Sequence, residues 1–250
     1  MATTISPAGS FSFIRRIEAK IRAVAKPVRS KRDQIIPSDQ LFSLGLSLME
    51  STPRLSTPRL RAIQFRDGLL IALLALRPLR RKNLTELTLG KNLIYGHGTW
   101  IIALSAYETK THTRIEHLWP EQLVSALETY LAVHRPVLIA QTGRWSAPVG
   151  ERLWVSSEGS PQTQMSIYQQ IQLRTKAAFG DGLNPHRFRD AAATTLAIED
   201  PTHVRISARV LGHQSFQTTE TYYQHAEQNQ ANKLFTEAIS SIKTRKYQRN

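Results

Sequence analysis

The sequence predicts a mainly α-helical protein with one small antiparallel β-sheet. Apolar residues recur at helical spacing in most of the chain, whereas the β-prone stretches are short and grouped together. The predicted helices cover residues 13–25, 38–49, 61–76, 120–133, 163–178, 187–198, 204–211 and 229–242, and the predicted strands cover 93–95, 100–104 and 114–119. Hydrophobic residues at 41% and charged residues at 21% are typical of a folded protein.

The charge of the chain favours a polyanionic partner. Lys and Arg total 33 against 19 Asp and Glu, which gives a net charge of +14. Nucleic acid and an anionic membrane surface both fit this excess, and so does a charge that serves only solubility. The longest apolar run, residues 69–76, is too short to span a bilayer. With no secretory or lipidation pattern at the N-terminus, we expect a cytoplasmic location.

The absence of cysteine restricts the chemistry. The chain has no Cys, which excludes disulfides, a thiolate nucleophile and a Cys-based zinc site. Any covalent catalysis therefore uses an oxygen or nitrogen nucleophile, and the sequence predicts no metal site.

Composition changes divide the chain into three parts. Residues 1–54 are predicted to be a basic arm and linker, in which Pro27 ends a short amphipathic helix and Ser38 caps the next one. The pentapeptide Ser-Thr-Pro-Arg-Leu then occurs twice in 51–60 and is interpreted as a loop. The dense apolar helix 61–76 is the predicted centre of a main domain covering 55–230, and 231–250 form a C-terminal helix and basic tail. The cations of the arm, which are candidates for binding a polyanion such as DNA, are Arg15, Arg16, Lys20, Arg22, Lys26, Arg29, Lys31 and Arg32.

Two short motifs near the C-terminus carry candidate catalytic residues. His186 and Arg189 lie three apart at the start of a predicted helix, so both side chains share one face. A helix N-terminus adds unpaired N–H groups and partial positive charge, which favour a phosphate. His213 follows a Leu-Gly helix end, and Tyr222 comes nine residues later in Thr-Thr-Glu-Thr-Tyr. Taken singly, each of these residues also fits an ordinary surface or core position.

As an ordered set, these motifs resemble the C-terminal signature of the tyrosine recombinase (phage integrase) family. The resemblance extends upstream and covers roughly residues 55–230. Arg80 follows the buried helix where the family has its first catalytic arginine, and Lys110 lies between two predicted strands where the family has its hairpin lysine. Lys91 also flanks the sheet, and Tyr223 adjoins Tyr222. The resemblance implies a helical catalytic domain with a small sheet.

The resemblance also implies a reaction. Tyr222 attacks a DNA phosphodiester and forms a 3′-phosphotyrosyl bond, while Lys110 protonates the departing 5′ oxygen. Arg80 and Arg189 are permanently charged and bidentate, so they can stabilise the phosphate in place of a metal ion. His186 and His213 donate hydrogen bonds to the same phosphate or assist proton transfer. Because the ester bond is exchanged and not hydrolysed, no cofactor and no ATP are expected.

Three functions stay open at this point. The first is site-specific recombination of double-stranded DNA by a homotetramer, with no membrane and no small-molecule substrate. The second is DNA relaxation like that of a type IB topoisomerase. The third is a non-catalytic DNA-binding relic, because only about fifty residues precede the main domain where the family usually carries a complete helical domain. Three local departures from the family, at Pro78, Asn83 and Asp190, lie beside the candidate arginines.

Overall fold

The computed structural model describes residues 12–24, 35–96, 98–109, 112, 114–143 and 146–199. The predicted helices 204–211 and 229–242 lie outside the described residues. The chain divides into two units, Met1–Ile35 and Ile36–Asn250.

The first unit contains helix α1, Ser12–Val24. Its apolar side chains Phe13, Ile14, Ile17 and Ile21 are all exposed. Phe13 and Ile14 lie four and three residues before Ile17, and Ile21 lies four residues after it, which places them along one stripe of the helix. The predicted amphipathic helix is confirmed.

The second unit is mainly helical, with its strands grouped in the middle of the sequence. In chain order it contains α2 (Ser38–Glu50), α3 (Pro58–Leu76), α4 (Arg81–Thr85), β1 (Leu93–Gly96), β2 (Thr99–Leu104), β3 (Ile115–Leu118), α5 (Val124–Thr129), α6 (Arg135–Ile139), α7 (Gln164–Phe179) and α8 (Pro185–Glu199). The predicted class, mainly α with a small antiparallel sheet, is confirmed.

Helix α3 forms the centre of the core. Every residue from Phe65 to Ala75 is buried. Helix α2 approaches α3 very closely where two glycines meet, since a Cβ on Gly68 would lie only 2.6 Å from the carbonyl oxygen of Gly45. The density of apolar residues in the sequence predicted this central position correctly.

The duplicated pentapeptide adopts two different structures. Its first copy forms a 3-10 turn at Thr52–Arg54. Its second copy begins α3, because Thr57 accepts a hydrogen bond from the backbone N–H of Leu60 at 3.2 Å and Pro58 occupies the first turn. The interpretation of both copies as a loop is therefore wrong for the second.

The three strands form one antiparallel sheet in the order β1-β2-β3. The register aligns Leu93 with Ile102 and Ile102 with His117. Since side chains alternate between faces, these three residues lie on one face of the sheet. Leu93 and Ile102 are buried and His117 is half-buried, so this face is the inner one.

The predicted helix over 120–133 is present but interrupted. A 3-10 turn (Glu121–Leu123) leads into α5, and a π-helical turn (Tyr130–His134) joins α5 to α6. Tyr130 is fully buried in this turn, and its hydroxyl donates to the carbonyl oxygen of Leu153 at 3.2 Å. Burial raises the pKa of Tyr130 to about 12.

A charged network crosses the core. Arg66 and Asp67 of α3 are 1% and 2% exposed. Asp67 Oδ1 accepts from Arg66 Nε at 3.0 Å and Nη2 at 2.6 Å, and Asp67 Oδ2 accepts from Arg174 Nε of α7 at 3.0 Å. Arg66 Nη1 also donates to the carbonyl oxygen of Val155 at 2.7 Å. The network joins α3 to α7 and to the segment before α7.

Candidate functional site

The segment between α3 and α4 carries Arg80. Pro78 has no N–H and cannot continue α3, so the chain turns there. The N–H of Leu79 donates to the carbonyl oxygen of Arg77 at 2.7 Å, which closes a turn around Pro78. Arg80 follows in an extended conformation, with φ −63° and ψ 142°, and is half-buried.

The backbone of Arg80 is fixed on its C-terminal side by α4. The N–H of Leu84 donates to the carbonyl oxygen of Arg80 at 2.9 Å. Leu84 is itself buried, and its carbonyl accepts from the indole Nε1 of Trp154 at 2.9 Å. Asn83, which stands where the family commonly has an acid, is also buried. Short as it is, α4 therefore holds Arg80 against the core.

Helix α8 carries the other two described candidates, His186 and Arg189. Asn184 precedes the helix, and its Oδ1 accepts from the N–H of His186 at 2.9 Å and of Arg187 at 3.2 Å. The sequence predicted unpaired N–H groups at this helix N-terminus, but Asn184 occupies these two. The His186 side chain is exposed, whereas Arg189 is only 7% exposed.

One hydrogen bond joins the two arginine segments. Arg189 Nη1 donates to the carbonyl oxygen of Pro78 at 2.7 Å, although the two residues are 111 positions apart. Pro78 is two residues from Arg80, and two residues of backbone reach at most about 7 Å. The fold thus places the Arg189 guanidinium close to the backbone segment that carries Arg80.

The chain after α3 carries a basic cluster that consists of Arg77, Arg80, Arg81 and Lys82, and its members have different environments. The guanidinium of Arg81 lies over the ring of Tyr168 at 5.8 Å from its centroid. Arg77 is half-buried and donates from Nε to the carbonyl oxygen of Leu118 in β3 at 3.2 Å. Arg77 is therefore not a freely solvated side chain.

The electrostatics of Arg77 extend to the inner face of the sheet. Burial lowers the pKa of Arg77. Burial, and secondly the charge of Arg77, lower the pKa of His117, which favours its neutral form at pH 7.

A turn at the end of β2 is fixed by Glu108. Its Oε2 accepts from the backbone N–H and the hydroxyl of Ser105, both at 2.9 Å. Its Oε1 accepts from Asn92 Nδ2 at 3.2 Å and lies 3.3 Å from Lys91 Nζ. The N–H of Ser105 is the main reason why the pKa of Glu108 falls to about 2. Lys91, the alternative to Lys110 in the sequence, is thus paired with an acid.

Several sequence-predicted residues lie outside the described part of the chain. They are Lys110, His213, Tyr222 and, in the arm, Lys26, Arg29, Lys31 and Arg32. Arg15, Arg16 and Lys20 are exposed on α1, and Arg22 belongs to the same helix. The roles assigned to all these residues stay predictions.

Sequence reasoning missed three structural contributors. The Pro78 carbonyl is a backbone group, which residue type does not reveal, and Asn184 was not predicted as a helix cap. Asn before Pro is a known helix-start pattern and would have signalled the cap. The buried Arg66–Asp67 pair gave no signal, because adjacent opposite charges are common on exposed helix faces.

Among the described residues, no helix is long and apolar enough to cross a membrane. The same part of the chain holds no group of three or more His, Cys, Asp or Glu that is suited to a metal ion.

The described fold is a mainly helical domain with a small antiparallel sheet, in which the Arg189 side chain binds the segment that precedes Arg80. The sequence model of the phage integrase family matches residues 47–229, so the chain belongs to the tyrosine recombinases of that family.

Related proteins agree with this assignment. Tyrosine recombinase XerD of Mycobacterium tuberculosis, in two strains, is 34% identical over 100 residues, which cover 40% of this chain and 30% of XerD. The fold is similar to XerH site-specific recombinase bound to difH substrate after cleavage, with TM-score 0.55, 18% identity and coverage of 77% of this chain and 51% of XerH. XerA recombinase gives TM-score 0.51 at 20% identity, with coverage of 84% of this chain and 65% of XerA. The chain thus matches about half the length of XerH.

Proposed function

We propose that this protein is a site-specific DNA recombinase that cleaves and rejoins double-stranded DNA through a 3′-phosphotyrosyl intermediate on Tyr222. The observation that supports this most strongly is the 2.7 Å hydrogen bond from Arg189 to the carbonyl of Pro78. It joins the two motifs that the reaction requires at one phosphate.

In the proposed reaction, Arg80 and Arg189 bind the two non-bridging oxygens of the scissile phosphate. The phenol oxygen of Tyr222 loses its proton and attacks phosphorus, and the bond to the 5′ oxygen breaks. Negative charge develops on the oxygens held by the two guanidiniums, which replace a metal ion. Lys110 gives a proton to the 5′ oxygen, and His186 and His213 donate to the phosphate or assist proton transfer. Rejoining reverses these steps, so neither ATP nor a cofactor takes part.

We also propose how the rest of the chain contributes. Residues 1–54 form the basic arm and linker, residues 55–230 the catalytic domain and 231–250 the C-terminal helix and tail. The exposed Arg15, Arg16 and Lys20 of α1, with the other arm cations, bind DNA phosphates and make binding salt-dependent. The active assembly is a homotetramer on DNA, and the protein acts in the cytoplasm on nucleoid DNA.

The test is covalent trapping on nicked suicide DNA duplexes in which the sequences on both sides of the nick are randomised. The nick releases a short 5′-hydroxyl fragment after cleavage, so religation fails and the protein stays attached to DNA. We expect an adduct that resists denaturing detergent. Tyr222→Phe should abolish it, and Tyr223→Phe should leave it. Arg189→Met should slow its formation by roughly 10²–10³-fold, the effect of removing one donor to a developing charge.

Other outcomes would contradict the proposal. An adduct that survives Tyr222→Phe but not Tyr223→Phe would move the nucleophile by one residue. Relaxation of supercoiled plasmid by a monomer, without recombinant products, would identify topoisomerase-like activity. Salt-sensitive DNA binding with no adduct from any duplex would identify a non-catalytic relic.

A further inference from the structure

We infer that Arg77 is a positioning residue, which holds the Pro78–Arg80 segment so that Arg80 and Arg189 meet the same phosphate. The inference rests on the proposed function. It concerns a residue that lies next to the site and acts through its neighbours, not through DNA.

The side chain of Arg77 ties the end of α3 to the sheet. Its Nε donates to the carbonyl oxygen of Leu118 in β3 at 3.2 Å, and its Nη1 donates to the carbonyl oxygen of Leu76 at 3.0 Å. A planar guanidinium can hold two carbonyls in a fixed relation, and a lysine ammonium offers no such fork. Charge-assisted hydrogen bonds of this kind are stronger than those between neutral groups.

The backbone of Arg77 continues the connection towards both candidate arginines. Its carbonyl accepts from the N–H of Leu79 at 2.7 Å and so closes the turn around Pro78. The carbonyl of Pro78, at the centre of that turn, is the acceptor for Arg189. Arg80 follows Leu79 directly. Displacement of Arg77 would therefore move the Pro78 carbonyl and the Arg80 backbone together.

The environment of Arg77 fits a positioning role better than a DNA-contacting one. The residue is half-buried and desolvated, whereas Lys82 of the same basic cluster is exposed. Two backbone carbonyls of the protein already accept from its guanidinium.

The experiment compares two suicide substrates, one with an ordinary scissile phosphate and one with a methylphosphonate. The methyl group replaces one non-bridging oxygen and removes the negative charge, so the arginines matter less on that substrate. Arg77→Met keeps the apolar stem and removes the guanidinium. We expect adduct formation to slow by roughly 10–100-fold on the phosphate, as for a catalytic group displaced by about 1 Å, and clearly less on the methylphosphonate. Arg189→Met should show the same selective rescue.

Arg135→Met is the matched control. Arg135 of α6 also donates to backbone carbonyls, those of Gly150 and Arg152 at 2.8 and 2.9 Å, but belongs to neither arginine segment. Arg135→Met should change the rate of adduct formation by the same factor on both substrates. Arg77→Lys keeps the positive charge without the planar guanidinium, so its rate of adduct formation should fall between those of wild type and Arg77→Met. This variant also tests the inference if Arg77→Met does not fold.

The results separate the two proposals. A wild-type rate in both Arg77 variants, or equal losses on the two substrates, would overturn the positioning role while the proposed function stands. A wild-type protein that forms no adduct at all would overturn the proposed function itself.

Discussion

Replacement of Asp67 by Asn tests whether the buried charged network holds the domain together. Asp67 is 2% exposed and accepts from two guanidiniums, those of Arg66 and Arg174. Asn has nearly the same size but removes the negative charge and turns one acceptor oxygen into an NH₂ donor. That donor faces a guanidinium, which has no acceptor. Two cations are then left without their common anion in the core.

The expected loss of stability is large. Removal of one partner from a buried ion pair costs about 3–5 kcal/mol, because the remaining charge stays desolvated. Domains are stable by about 5–15 kcal/mol in total. For a domain of about 150–250 residues, each kcal/mol shifts Tm by about 2–4 °C. Asp67→Asn should therefore lower Tm by roughly 6–20 °C.

The assay is urea unfolding at pH 7, monitored by circular dichroism, together with thermal unfolding. Arg174→Met is the comparison, because its side chain is 22% exposed and its removal leaves the Arg66–Asp67 pair intact. We expect it to cost less than Asp67→Asn, within about 1.5–3 kcal/mol. A loss below about 1 kcal/mol for Asp67→Asn, or one smaller than that of Arg174→Met, would refute the reasoning.

Two further predictions concern packing and pH. Gly68→Ala places a Cβ 2.6 Å from the carbonyl oxygen of Gly45 and should lower the free energy of unfolding by about 1–3 kcal/mol in urea. Gly96→Ala, whose new Cβ has no atom within 4 Å, should stay within about 0.5 kcal/mol of wild type. Equal effects of the two variants would contradict the close contact between α2 and α3. The pKa of Glu108 is lowered from 4.5 to about 2, mainly by the N–H of Ser105, so its stabilising contribution is present above pH 4.5 and is lost as pH falls towards 2. The difference in unfolding free energy between wild type and Glu108→Gln should be constant from about pH 5 to 7 and shrink below pH 4.5. A difference that is unchanged at about pH 3 would contradict the lowered pKa of Glu108.

Local patterns in the sequence predicted most helices and strands of the described chain. The apolar spacing in 12–24 predicted a helix because residues three or four apart share one helix face, and the apolar density in 61–76 predicted a helix buried on most sides. The short β-prone stretches 93–95, 100–104 and 114–119 predicted the sheet, because β-branched and aromatic residues favour strands. Such patterns depend on near neighbours only.

The same reasoning failed where an identical segment meets different surroundings. The two copies of Ser-Thr-Pro-Arg-Leu have the same local propensities, yet only the second begins a helix. Thr57 caps α3 because the apolar residues that follow are buried in the core, whereas Thr52 follows the end of α2. Tertiary burial, not the pentapeptide, selects between turn and helix.

For the candidate site, the sequence by itself determined which residues are candidates for the chemistry: residue type and order single out Arg80, Arg189 and their predicted partners. Only the tertiary structure decided that Arg189 is buried, that it binds the carbonyl of Pro78 and that Arg77 ties the same segment to β3. The physical reason is that these are backbone contacts across 41 and 111 positions. A carbonyl oxygen is present at every residue, so only the fold determines which one a distant guanidinium meets.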